Sequence, residues 1–99
     1  MQQPLTEGVY YILLALYEPR HGYGIMQFTE EISNGRVRLG AGTIYGAIKT
    51  LVEKGWIEAL PGNDRKKEYE ITNLGKEIVE GELARLKELM GNGVKIVEK

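Results

Sequence analysis

The sequence predicts a mainly α fold carrying a small β-hairpin, an α+β arrangement, and three observations point to it. Apolar residues recur at spacings of three and four in four separate segments. One short stretch beside a turn-rich tetrapeptide alternates with period two. At 99 residues, 42% of them hydrophobic and 27% charged, the chain can build one hydrophobic core and not two.

The first helix is expected over residues 5–17. Leu5, Val9, Ile12, Leu13 and Leu16 keep helical spacing, Tyr10, Tyr11 and Tyr17 widen the face, and Pro19 stops it. A second helix runs from Gly24 through Ile25, Met26, Phe28 and Ile32. It ends at Asn34-Gly35, two residues that tolerate left-handed backbone angles. Gly22-Tyr23-Gly24 makes its entry permissive. His21 and Tyr23 are expected to fix its start, with Tyr23 in reach of a phosphate. The third helix, Ala41 to Lys54, places Ile44, Ala47, Ile48, Leu51 and Val52 on one side and Gly55 just past its end. Its other side carries Thr43, Tyr45, Gly46, Lys49, Thr50 and Glu53, a face left over for a partner.

Trp56 to Leu60 has strand propensity, residues 61–64 (Pro-Gly-Asn-Asp) are turn chemistry, and Arg65 to Ile71 alternates. Tyr69 and Ile71 fall on one face and Lys66, Glu68 and Glu70 on the other. Trp56 is read as core or as a platform for a stacked ligand. Thr72 can cap a fourth helix, in which Val79, Leu83, Leu86 and Met90 are four, three and four apart, with Leu74, Ile78 and Leu89 beside them. Gly91-Asn92-Gly93 is expected to end it. Gly81 either weakens this helix or permits close approach of a neighbour. The division is residues 1–71 as one functional unit and 72–99 as a C-terminal helix and tail, one compact domain overall. The apolar residues of the last helix cover too much circumference for a small core. A symmetric dimer is expected, with Tyr10, Val79, Leu83, Leu86, Leu89 and Met90 at its seam.

Composition narrows the chemistry. The absence of cysteine excludes disulfides, a thiolate nucleophile and Cys-based metal sites, and the single histidine, His21, excludes a His-rich one. No cofactor is expected. No nucleophile, base and orienter assemble, so the chain is not expected to be an enzyme. Residues 40–46 (Gly-Ala-Gly-Thr-Ile-Tyr-Gly) superficially suggest a nucleotide loop. The third glycine is one place late, however, and no Gly-Lys-Ser/Thr or preceding strand accompanies it. No run reaches the roughly 18 to 20 apolar residues of a membrane span, and Met1-Gln2-Gln3-Pro4 does not resemble a signal peptide. A cytoplasmic location is expected.

Net charge is −1, yet its distribution is uneven. Residues 36–67 hold seven basic and three acidic side chains, while both flanks are net acidic. Such asymmetry points to a local anionic partner. Helix, helix, helix, hairpin, helix is the order of a winged helix-turn-helix, here with a C-terminal dimerisation helix. In that architecture the third helix enters the major groove and the hairpin follows the backbone. Double-stranded DNA is the expected partner. Its contacts are expected from Tyr23, Gly42, Thr43, Tyr45, Gly46, Lys49, Arg65, Lys66 and Lys67. Tyr45 lies off the buried face and offers a phosphate-contacting hydroxyl. Backbone N–H groups at Gly42 and Thr43 would receive a phosphate through the helix dipole.

Three stretches carry a further signal: His21-Gly22-Tyr23-Gly24-Ile25; Gly42-Thr43-Ile44-Tyr45 through Leu51 and Lys54-Gly55-Trp56-Ile57; and Tyr69-Glu70-Ile71-Thr72-Asn73-Leu74-Gly75. In them the chain, from Leu5 to Met90, resembles the PadR-type transcriptional regulators, particularly their short-tailed branch. The resemblance implies a dimeric winged-helix repressor whose C-terminal helix packs on the partner's N-terminal region. It also implies a response to phenolic or planar hydrophobic compounds. Glu68 and Glu70 depart from the pattern, standing where relatives often carry basic or aromatic residues. The expected function is a repressor acting as a homodimer on a pseudo-palindromic operator. A small aromatic or hydrophobic effector is a further candidate partner, at a seam of Tyr10, Tyr11, Leu86, Leu89 and Met90 that either holds a flat molecule or simply packs. The alternative is a protein-interaction adaptor on the same scaffold without DNA, favoured by the near-neutral charge and the wing glutamates.

Overall fold

Side-chain capping fixes where α1, α2 and α4 begin in the computed structural model, which describes residues 3–62 and 67–99. Thr6 opens α1 (Glu7–Ala15) by accepting the Val9 N–H at 3.2 Å. The helix is therefore shorter than the 5–17 span, with Leu5 ahead of the cap and Leu16 closing it. α2 (Gly22–Ile32) starts two residues earlier than expected, because His21 is its N-cap. Imidazole Nδ1 of His21 accepts the Gly24 N–H at 3.3 Å. Asn34 and Gly35 end α2 with φ of 54° and 78°, the left-handed pair anticipated there. α3 (Ala41–Glu53) is followed by Gly55 at φ 76°.

The hairpin is shorter than its propensity suggested. β1 (Ile57–Ala59) pairs antiparallel with β2 (Tyr69–Ile71), in register Ile57↔Ile71, Glu58↔Glu70 and Ala59↔Tyr69. Leu60 donates to the Glu68 carbonyl at 2.9 Å and extends the pairing by one step. On its other side β2 meets the turn after α1. Arg20 and Tyr69 exchange two backbone hydrogen bonds, and the Ile71 N–H donates to the Leu16 carbonyl at 2.8 Å. The hairpin base is thus tied to the helical core from both sides.

Thr72 caps α4 (Asn73–Val97) by accepting the Gly75 N–H at 3.1 Å, and its hydroxyl donates to the Gly55 carbonyl at 2.7 Å. Contrary to expectation, Gly91-Asn92-Gly93 does not end this helix. A glycine or asparagine terminates a helix by turning left-handed, and none of these three residues does so. Without a proline to break the ladder the helix continues to Val97.

Ile12, Leu13 and Leu16 of the α1 region, Ile25 of α2, Ile44, Ile48 and Leu51 of α3, and Ile57, Ile71 and Val79 form the core. Val52, expected on the buried side of α3, lies at its edge, 41% exposed. Only the first part of α4 joins the core. Its last buried residue is Glu82, whose carboxylate takes two 2.8 Å hydrogen bonds from Arg85 and accepts the Leu5 N–H at 3.2 Å. Beyond it Leu86, Leu89, Met90, Val94, Ile96 and Val97 stand exposed on a projecting rod. The radius of gyration, 14.9 Å, accordingly exceeds the roughly 13 Å of a compact chain this long.

Candidate nucleic-acid interface

The buried residues of α3 dictate what it exposes. Ile44, Ile48 and Leu51 point into the core, so a helix of 3.6 residues per turn turns Gly42, Thr43, Tyr45, Gly46, Lys49 and Glu53 outward. A side chain at Gly42 or Gly46 would enter open space. Each glycine lowers helix propensity by about 1 kcal/mol relative to alanine, and no internal packing requires either.

α3 and the hairpin enclose an open groove of about 370 Å³, into which Tyr45 and Lys49 project from α3 and Lys67 and Tyr69 from the hairpin. Three of the expected contact residues, Tyr45, Lys49 and Lys67, thus share one concavity. Arg65 and Lys66, also expected there, lie outside the described residues. Strand parity then places the wing glutamates. Ala59, Lys67 and Tyr69 face the groove, so Glu58, Glu68 and Glu70 belong to the opposite face. The acidic residues of the hairpin therefore do not line the groove.

Tyr23 is not in that groove. It stands 56% exposed at the start of α2, stacked on His21 with ring centroids 6.4 Å apart. The two sites meet at Gly22, across which the Tyr45 ring lies. The basic middle segment is also less available than its count suggests. Arg36 pairs with Glu7 at 2.6 Å and Arg38 with Glu30 at 3.4 Å. Hydrogen bonds donated to Glu7 and then to Tyr11 hold the Arg36 guanidinium even more firmly protonated than usual. Lys54 sits over the Trp56 ring, 4.7 Å from its centroid, away from the groove.

Sequence reasoning missed Tyr69 as a groove wall and Gly22 as the seat of Tyr45. The period-two pattern that put Tyr69 on the Ile71 face carried the first signal. The second had none, because a contact between α2 and α3 leaves no local pattern.

Two other features bear on the expected site residues. Val79 is 4% exposed inside the chain's own core, which removes it from the expected dimer seam; Tyr10 is half-buried beside Tyr11. A largely apolar cavity of about 480 Å³ lies between the N-terminal segment, α3 and α4, lined by Leu5, Val9, Leu51, Trp56 and Ile78 among others. It does not coincide with the seam where an effector was expected, but it gives half-buried Trp56 an open side. Among the described residues no group of three or more His, Asp or Glu side chains could hold a metal ion, and no helix is long and apolar enough to cross a membrane.

Comparison with known proteins places this geometry in a family. The chain is 35% identical over 81 residues to an uncharacterised 37.1 kDa protein of a Streptomyces fradiae transposon, covering 81% of this chain. The chain spans only 23% of that curated relative's length. A transcriptional regulator from Clostridium thermocellum superposes with a TM-score of 0.75 at 18% identity, covering 92% of each chain. Bacillus subtilis PadR, solved with operator DNA, superposes with a TM-score of 0.69 at 26% identity, covering 83% of this chain and 49% of that one. The model of the transcriptional regulator PadR-like family matches residues 11–81, spanning the helical core, α3, the hairpin and the first turns of α4, and the chain belongs to that family.

Proposed function

We propose that this chain is a DNA-binding transcriptional repressor that acts as a homodimer on a pseudo-palindromic operator. The observation that carries the reading is the groove between α3 and the hairpin, in which Tyr45, Lys49 and Lys67 converge beside an α3 face that its own core leaves unused. A helix of this exposure fits the major groove, and cations on a hairpin beside it fit the flanking backbone. The operator complex of Bacillus subtilis PadR supports the assignment. Thr43, Gly42 and Gly46 lie where α3 would approach base edges, Arg65 and Lys66 are assigned to DNA contact by their charge alone, and Tyr23 adds a backbone contact from α2. The exposed stripe Leu83, Leu86, Leu89 and Met90 supplies the dimer seam with Tyr10 at its margin, and the cytoplasm is its place of action. Release by a small aromatic or hydrophobic effector completes the proposal, and the cavity beside Trp56 is of suitable size and lining.

Fluorescence anisotropy with a labelled duplex from the region upstream of its own coding sequence tests the reading. Affinity is expected to fall by orders of magnitude as salt rises severalfold. Lys49→Ala should change sequence preference, whereas Lys67→Ala should weaken all duplexes alike. Absence of binding at low salt would overturn the reading and leave the DNA-independent adaptor.

A further inference from the structure

Gly22, the first residue of α2, has no room for a side chain. A Cβ there would lie 2.6 Å from Tyr45 Oη, 2.7 Å from Cζ and 2.9 Å from Cε1, inside any tolerable contact. The obstructing atoms are the outer end of one rotatable side chain and not backbone. Gly22 adopts no left-handed angle, so its conformation would accept alanine. By helix propensity alone alanine would be the better residue here. The glycine therefore serves the ring that rests on it.

That ring belongs to a residue with an available hydroxyl. Tyr45 is 55% exposed, and among the described residues its hydroxyl has no hydrogen-bond partner. A tyrosine on a helix surface has two accessible χ1 wells, and an unsupported ring divides between them. Contact with Gly22 selects one direction for the hydroxyl.

We propose that Gly22 is a positioning residue for DNA binding, its missing Cβ seating the Tyr45 ring across the first turn of α2 so that the hydroxyl is held ready for a backbone phosphate. The proposal rests on the DNA-binding reading above. Substitution at Gly22 acts through Tyr45 alone, which makes the effects of changing the two residues non-additive.

The test titrates the full chain, Gly22→Ala, Tyr45→Ala and the double variant onto the labelled upstream duplex, with melting temperatures recorded alongside. Gly22→Ala should melt within a few degrees of the parent and lose about tenfold or more in affinity. The double variant should bind no more weakly than Tyr45→Ala alone. In the parent, nuclear Overhauser contacts should join the Tyr45 ring protons to the Gly22 Hα, and Gly22→Ala should abolish contact between that ring and residue 22. Parent-like affinity in Gly22→Ala overturns the proposal, as does a double variant that multiplies the two single losses. Should Gly22→Ala fail to fold, recovery of the fold in the double variant supports the seat and its absence overturns it. Parent-like binding by Tyr45→Ala overturns the proposal even if the parent shows the ring contact, because the ring would then be seated without touching DNA. If the parent binds no DNA, the proposal falls together with the proposed function.

Discussion

Gly75 shows how differently two glycines of this chain are constrained. A Cβ at Gly75 would lie 2.1 Å from the Trp56 carbonyl oxygen and 2.6 Å from Ile71 Cγ1. That carbonyl already accepts the Thr72 N–H at 2.9 Å, so it cannot retreat without breaking the start of α4. Gly75→Ala is expected to destabilise the protein by more than about 2 kcal/mol and lower its melting temperature by about 10 °C or more, as calorimetry would register. Glu82 carries the pH dependence at this scale. Hydrogen bonds from Arg85 depress its pKa below the ordinary carboxylate value, helped by the Leu5 N–H and opposed by burial. A carboxylate lowered on folding stabilises fully above its unfolded pKa, about 4.3. That stabilisation disappears as pH falls through the lowered value. Glu82→Gln should melt below the parent at neutral pH, and the gap should close in acid. Neither role was legible beforehand: Gly75 and Glu82 matter through contacts to residues distant in sequence, and periodicity reports only neighbours on one face.

At the scale of elements, what could be read is what each element does to itself. α1, α2 and α3 announced themselves by apolar spacing, and Asn34-Gly35 and Gly55 stopped helices because they adopt left-handed angles. α4 passed its expected stop because the same residue types stayed right-handed. His21 was expected to fix the start of α2, but the helix begins two residues earlier than its apolar spacing indicates because histidine, an uncommon residue at that position, is itself the N-cap. The shared groove of Tyr45, Lys49 and Lys67 was half legible. Charge and helical phase indicated the residues, but strand parity relative to the core decided that Glu58, Glu68 and Glu70 turn away. Glu58 and Glu70 stand directly opposite one another, a like-charge pair that weakens the hairpin. Glu70→Lys should raise stability by up to about 1 kcal/mol in denaturant titration. Because residue 70 lies off the groove, affinity for the upstream duplex should change far less than it does in Lys67→Ala.

For the whole molecule, the projecting rod is the dominant fact. The principal extents are 55 × 29 × 20 Å, and the long axis exists because α4 outruns its own core. An isolated helical segment in water is marginal, more so with Gly91 and Gly93 within it, so its persistence calls for a covering surface. The proposed dimer through Leu86, Leu89 and Met90 would make stability depend on protein concentration. The melting temperature should drop by a few degrees for each tenfold dilution. In Leu89→Glu combined with Met90→Glu that dependence should vanish, and sedimentation should report a monomer.

The backbone bonds from Tyr69 to Arg20 and from Ile71 to Leu16 have one more effect, on how the protein behaves when crowded. A two-stranded ribbon has two unsatisfied edges, each a template for another chain. Here the outer edge of β2 is already occupied by the molecule's own turn, and the remaining edge, along β1, is three residues long with Glu58 at its centre. Strand-by-strand growth has almost nowhere to begin. The apolar end of α4 is therefore left exposed without a sheet edge beside it that would recruit a strand.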